Sequence, residues 1–187
     1  MSTSRDIIYR LNPGDILCFA NKEYDEFASA NDGQLASSIA VLQRSLWDFI
    51  TEPTTQQLYR EIVRCVRMGS SARFDFRCDS PGCRRTLEMN VAREENGSVE
   101  FRTRTLSEEQ RPSQILLESR PAISDELLRV CSWCNAVNVR HAWVEVEEAV
   151  KLLRLFERSR LPRLTHGICG PCRETMIKTV SELLIAA

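Results

Sequence analysis

Between residues 72 and 104 the chain alternates apolar and polar positions with a period of two. Phe74, Phe76 and Cys78 fall on one side and Arg73, Asp75 and Arg77 on the other. Leu87, Met89 and Val91 repeat the pattern, and Val99, Phe101 and Thr103 do so again opposite Glu100, Arg102 and Arg104. Alternation of this kind predicts strands with one buried face. Asp79-Ser80-Pro81-Gly82 and Glu95-Asn96-Gly97 supply turn chemistry between them, so the three strands form an antiparallel meander. Its apolar face must pack on something, and the helices preceding it are the available partners.

The clearest of these helices is predicted over residues 54–68. Leu58, Ile62, Cys65 and Val66 share one face, Pro53 is placed to start the helix and Gly69 to stop it. Upstream, residues 7–11 and 15–19 read as two short strands around the turn Asn12-Pro13-Gly14. Asn21 then caps a helix carrying Tyr24 and Phe27. Residues 30–34 read as a loop, followed by a helical stretch through Leu35, Ile39 and Leu42. Trp47, Phe49 and Ile50 are expected in the core, as are Cys18 and Cys65, small buried hydrophobes.

Downstream the pattern weakens. Residues 106–124 read as a linker containing Pro112 and Pro121, in which Ile115, Leu116 and Leu117 either pack as a short helix or bind a partner. A second unit spans 125–187. Val146, Ala149, Val150, Leu153 and Phe156 predict a helical stripe over 144–158, closed by Leu161-Pro162. Met176, Val180, Leu183 and Leu184 predict a final helix beginning near Pro171.

Composition narrows the class. The 187 residues are 43% hydrophobic, enough for a globular core, and no apolar run approaches the ~18 residues needed to span a bilayer. The first residues carry no secretory stretch, so a cytoplasmic location is expected. Twenty-five basic and 26 acidic side chains give a net charge of -1, which removes the general electrostatic case for nucleic-acid binding. The densest basic set, Arg154, Arg158, Arg160 and Arg163, reads as a solvated face, with a phosphate-binding patch as the alternative. Eight cysteines in a reducing compartment point to metal or redox chemistry rather than disulfides.

Four of the cysteines form two CxxC pairs, Cys131/Cys134 and Cys169/Cys172, with 34 residues between the pairs. Each tight CxxC turn presents two sulfurs on one side, so two turns complete the tetrahedral shell that zinc takes. Four thiolates leave no position for water, and the expected role is structural. Iron is the alternative metal. Cys169-Gly-Pro-Cys172 also has the form of a dithiol redox motif, but the 15 residues after Cys172 are too few for a thioredoxin fold. His166 is expected to support a sulfur by hydrogen bonding, or alternatively to replace a cysteine as ligand, and His141 to lie on the surface. Cys78 and Cys83 flank a turn and read as free thiols, with a redox-sensitive bond or weak metal site as the alternative. No phosphate-binding glycine loop, GxSxG or HExxH is present, so an enzyme is not expected.

Two stretches also resemble known families. Residues 5–105, with ILCFANKEYDEFA at 16–28 and SLWDFITEPTTQQLYREIVRCVRMG at 45–69, resemble a PAS domain. That resemblance implies a five-stranded antiparallel sheet with helices on one side, used for sensing a ligand or for dimerisation. It does not carry a ligand over. The reactive-cysteine context of flavin photosensors is absent, and both histidines lie outside this stretch. Residues 130–175, CSWCNAV…WVEVEEAV…THGICGPC, resemble the four-cysteine module appended to bacterial sensor kinases and response regulators, matching it at Trp143, Glu147, His166 and Gly167. Gly170 stands where that pattern usually has proline. The expectation is therefore an α+β chain: a PAS-like sheet plus a small helical four-cysteine zinc module. Its expected role is a non-enzymatic regulator contacting a protein partner or a second copy. A redox or metal sensor, or a small-ligand or haem sensor, is the alternative.

Overall fold

The computed structural model describes residues 6–31, 33–118 and 123–186. Five strands form the first sheet: β1 (Ile7–Leu11), β2 (Leu17–Ala20), β3 (Ala72–Arg77), β4 (Cys83–Arg93) and β5 (Val99–Gln110). They are antiparallel throughout, in the order β2-β1-β5-β4-β3. Three helices lie between β2 and β3: α1 (Lys22–Ala30), α2 (Ser38–Val41) and α3 (Pro53–Arg67). The α+β class and the five-stranded sheet with its helices are as the sequence predicts.

Local chemistry explains most of these boundaries. The Asn21 side chain accepts the Tyr24 N–H at 3.0 Å, capping α1. Pro53 opens α3, and Glu52 caps it by accepting the Thr55 N–H at 2.6 Å. Gly69 ends it with φ 116°, a conformation that side-chain-bearing residues rarely adopt. Leu58, Ile62, Cys65 and Val66 are buried along one face of α3, against the sheet residues Phe74, Met89, Val91 and Phe101. Tyr9 stacks on Phe101 with ring centroids 4.7 Å apart.

On the opposite face, two glutamates are enclosed by arginines. Glu88 pairs with Arg73 and, at 2.7 Å, with Arg104. Glu100 pairs with Arg10 and Arg102, both at 2.7 Å. The burial that the alternation pattern assigns to apolar residues alone therefore extends to these two carboxylates.

Several expectations need correcting. Leu35 and Ile39 are 90% and 94% exposed, because residues 34–41 break into a 3-10 turn and one short helix instead of a continuous amphipathic one. Trp47 and Phe49 stand at the rim rather than in the core, each covered by an arginine, Arg60 and Arg44 respectively. Cys18 is exposed on the edge strand β2, whereas Cys65 is buried as expected. Residues 106–110 continue β5, paired with β4 as far as Gln110 opposite Cys83. Their side chains are all exposed and, after Leu106, all polar, so no hydrophobic alternation reveals the strand. Ile115–Leu117 does form a short 3-10 helix, with Ile115 and Leu116 buried. Pro121 lies outside the described residues.

The second unit carries more sheet than the helical module expected from its sequence. Its strands are β6 (Ile123–Cys131), β7 (Val137–Val139), β8 (Ala142–Val144) and β9 (Leu161–Gly167), in the order β8-β7-β6-β9. Helix α4 (Val146–Leu152) covers this sheet, and α5 (Gly170–Ala186) leaves it to pack beside α3. The stripe over 144–158 is interrupted at Arg154, whose backbone is left-handed at φ 50°. The break rotates the register, so Leu155 is fully buried while Phe156 is 69% exposed.

One apolar core spans the two units, and a second, with Val130, Val137, Val146 and Leu155, lies within the second unit. Cys131, Trp133, Cys169, Met176, Val180 and Leu183 belong to the same buried cluster as Leu58, Ile62 and Phe74. A buried ionic network adds to it. The Asp79 carboxylate, 0% exposed, meets Arg77 and Arg111, and Arg111 reaches Glu147 of α4 at 2.7 Å. Arg84 joins Glu145 at 3.3 Å and Glu147 at 3.1 Å. Charges this deep are tolerated only when each has its partner.

Candidate metal centre

The two CxxC turns meet because β6 and β9 run parallel. Their register pairs Cys131 with Gly167, so both strands end at the same level and each delivers its turn to the same edge. The Ser132 N–H donates to the Gly167 carbonyl at 2.8 Å and fastens one turn to the other. In the first turn, the Asn135 N–H returns to the Cys131 carbonyl at 3.0 Å, with Asn135 left-handed at φ 58°. Asparagine is among the few non-glycine residues that adopt this conformation readily. The second turn runs into α5, placing Cys172 in the first turn of a helix, where the backbone dipole favours a thiolate.

All four sulfurs lie within 4.8 Å of one another. Cys134 and Cys169 are 3.7 Å apart at sulfur. A tetrahedron with metal–sulfur bonds of ~2.3 Å has edges of about 3.8 Å. A disulfide needs ~2.05 Å, and all eight cysteines are free thiols. The geometry is that of a closed, structural zinc site, and His166 is not part of the four-sulfur group.

Electrostatics point the same way. The Cys131 thiol is lowered to about 4, first by its bond with Cys134, with the Cys169, Cys134 and Trp133 amides adding to the effect against burial. The Cys169 N–H lies 3.4 Å from the Cys131 sulfur. Cys134 is pushed far up, chiefly by that bond with Cys131 and then by burial. Cys172 is pushed up to about 12, first by burial and then by Cys169 and Cys131, against an opposing bond with Cys134. Four thiolates so close repel one another, and a divalent cation among them reverses that balance. Zinc would be held by Cys131, Cys134, Cys169 and Cys172 and would supply folding free energy rather than catalysis.

The remaining candidates are dispersed. His141 is exposed in the β7–β8 turn. His166 lies on β9 and lines two adjoining hollows. Cys78, its thiol raised by burial, lines the larger-walled of these, between sheet and helices, while Cys83 is buried at the start of β4. Trp133, inside the first CxxC turn, packs between Tyr59 and Phe74 at centroid distances of 5.5 and 6.3 Å. Its role was hidden because nothing in Cys-Ser-Trp-Cys says what the tryptophan faces. Among the described residues no helix is long and apolar enough to cross a membrane.

No protein-family model matches the chain, and no curated protein matches it.

Proposed function

We propose that this chain is a non-catalytic regulatory protein in which a PAS-like sensing unit is coupled to a structural zinc unit. One observation carries the reading. Ser132, within the first CxxC turn, and His166, from the strand leading to the second, form part of the wall of the cavity between the five-stranded sheet and its helices. A change in the occupant of that cavity therefore bears on the metal-held turns. The outputs left to such a chain are protein contacts, with a partner protein or with a second copy through the PAS-like unit. The cavity has a volume of about 540 Å³, within the range of small-molecule sites.

The test is metal analysis followed by hydrogen exchange on the full chain, with and without a zinc chelator. One zinc per chain is expected, and its removal is expected to raise exchange in β3 and at the start of α3. Unchanged exchange there would refute the coupling. An iron absorption spectrum would refute zinc.

A redox or metal sensor is the second reading, and one observation favours it. Cys134 and Cys172 are only half-buried and open onto a groove of about 820 Å³ beside β3 and α5. Prompt zinc release by mild peroxide, with a changed oligomeric state, would select this reading.

A further inference from the structure

The cavity under the five-stranded sheet shares part of its wall with a neighbouring hollow. Thr51, Glu52 and His166 line it and also line a second hollow of about 420 Å³ on the side of the zinc unit. The two differ in chemistry. The first is walled by sheet and helix side chains such as Leu87, Met89, Phe27 and Phe76, with the phenols of Tyr9, Tyr24 and Tyr59. Burial raises all three phenols, Tyr59 to about 12, so at neutral pH they are uncharged hydrogen-bond donors. The second hollow is polar, and Arg129, Arg173, His166 and Thr165 stand in its wall.

Most arginines on this chain are paired with carboxylates, at the sheet face and in the Asp79 network. Arg129 and Arg173 have no such partner among the described residues. Glu52 is the one carboxylate in that wall, and its oxygen is already taken by the Thr55 N–H at the start of α3. The position of Arg129 depends on Gly167. A Cβ at Gly167 would lie 2.5 Å from the Arg129 Cδ, so the absence of a side chain there lets the arginine lie across β9 toward the hollow.

We infer that the two hollows form one site for a small amphipathic carboxylate, its apolar body under the sheet and its head group in the hollow walled by Arg129, His166 and Arg173. This rests on the reading of the cavity as the sensing site, and it adds the ligand class and the residues that select it. It also routes recognition through the zinc unit: Arg129 is two residues before Cys131 and Arg173 directly follows Cys172. A guanidinium beside a carboxylate gives a charge-assisted hydrogen bond that a neutral head group cannot match.

The test is calorimetric titration of the zinc-loaded full chain with decanoate and with decanol, below micellar concentration. Decanoate is expected to bind at least tenfold more tightly. The double variant Arg129→Gln/Arg173→Gln, in which both exposed side chains keep their bulk, is expected to bring the two affinities together with zinc content unchanged. Gly167→Ala, which displaces Arg129, is expected to weaken decanoate and spare decanol. Equal affinity of the two probes for the native chain overturns the head-group assignment and leaves the cavity reading standing. Binding of neither overturns both. A preference for decanoate that survives the double variant overturns the role of these arginines.

Discussion

The backbone N–H of Arg77 donates to the carbonyl of Trp133 across 2.7 Å. Arg77 ends the edge strand β3, and Trp133 is one of the two residues between Cys131 and Cys134. This bond fixes a metal-held turn to the edge of the five-stranded sheet. The Trp133 ring continues the connection by entering the core against Tyr59 and Phe74.

Cys131→Ser is therefore expected to do more than loosen the second unit. Loss of a ligand takes zinc from one per chain toward none, and structural zinc is worth ~10–16 kcal/mol of apparent free energy at neutral pH. Because Cys131 and Cys169 share a core with α3, thermal unfolding followed separately at α3 and at α5 should show both falling together. A first sheet that melts as in the native chain would contradict this.

Trp133→Ala leaves the four sulfurs in place but empties the space between Tyr59 and Phe74. A buried aromatic truncation costs ~3–5 kcal/mol. The expected result is a lowered denaturant midpoint with zinc stoichiometry still at one, read by urea titration alongside metal analysis.

Arg111→Met removes one of the two guanidiniums at the buried Asp79 and one of the two at Glu147, leaving Arg77 and Arg84. Because each carboxylate keeps one guanidinium, the expected cost lies below the ~3–5 kcal/mol of a buried pair broken outright. Adding Asp79→Asn should recover part of that loss. A double-mutant cycle by equilibrium unfolding measures it, and strict additivity of the two changes would show that the pair is not coupled.

Glu147 gives the network a pH dependence. Burial opposes its ionisation, but the backbone amide and the guanidinium of Arg111 outweigh it and hold the carboxyl below the usual range. A depressed folded-state value means stability that is fully present above the unfolded value, about pH 4.3, and is lost as pH falls through the lower folded value. The difference in unfolding free energy between the native chain and Glu147→Gln should be constant from pH 7 to about 5 and shrink below that. A difference that grows on acidification would reverse the sign of the assignment.

The register at Arg154 separates two neighbours. Leu155→Ala should cost ~2–5 kcal/mol, while Phe156→Ser, on the exposed side, should leave stability within ~0.5 kcal/mol. Equal effects, measured by chemical denaturation, would restore the continuous helix that the hydrophobic stripe suggests.

The sequence alone determined whatever depends on neighbours along the chain. Period-two alternation placed the core residues Phe74, Met89, Val91 and Phe101, and capping and turn chemistry placed Asn21, Pro53 and Gly69. The CxxC spacing singled out the four cysteines whose sulfurs cluster, because a tight turn fixes two sulfurs whatever else the fold does. Contacts between residues far apart in sequence are visible in the folded chain alone. The parallel pairing of β6 with β9 brings the two turns together, and no local pattern encodes which strand another will join. The left-handed residue Arg154, the inward face of Trp133 and the meeting of Arg129 with Arg173 around one hollow have the same cause. Each is settled by packing between elements, and side-chain periodicity along a single element carries no record of it.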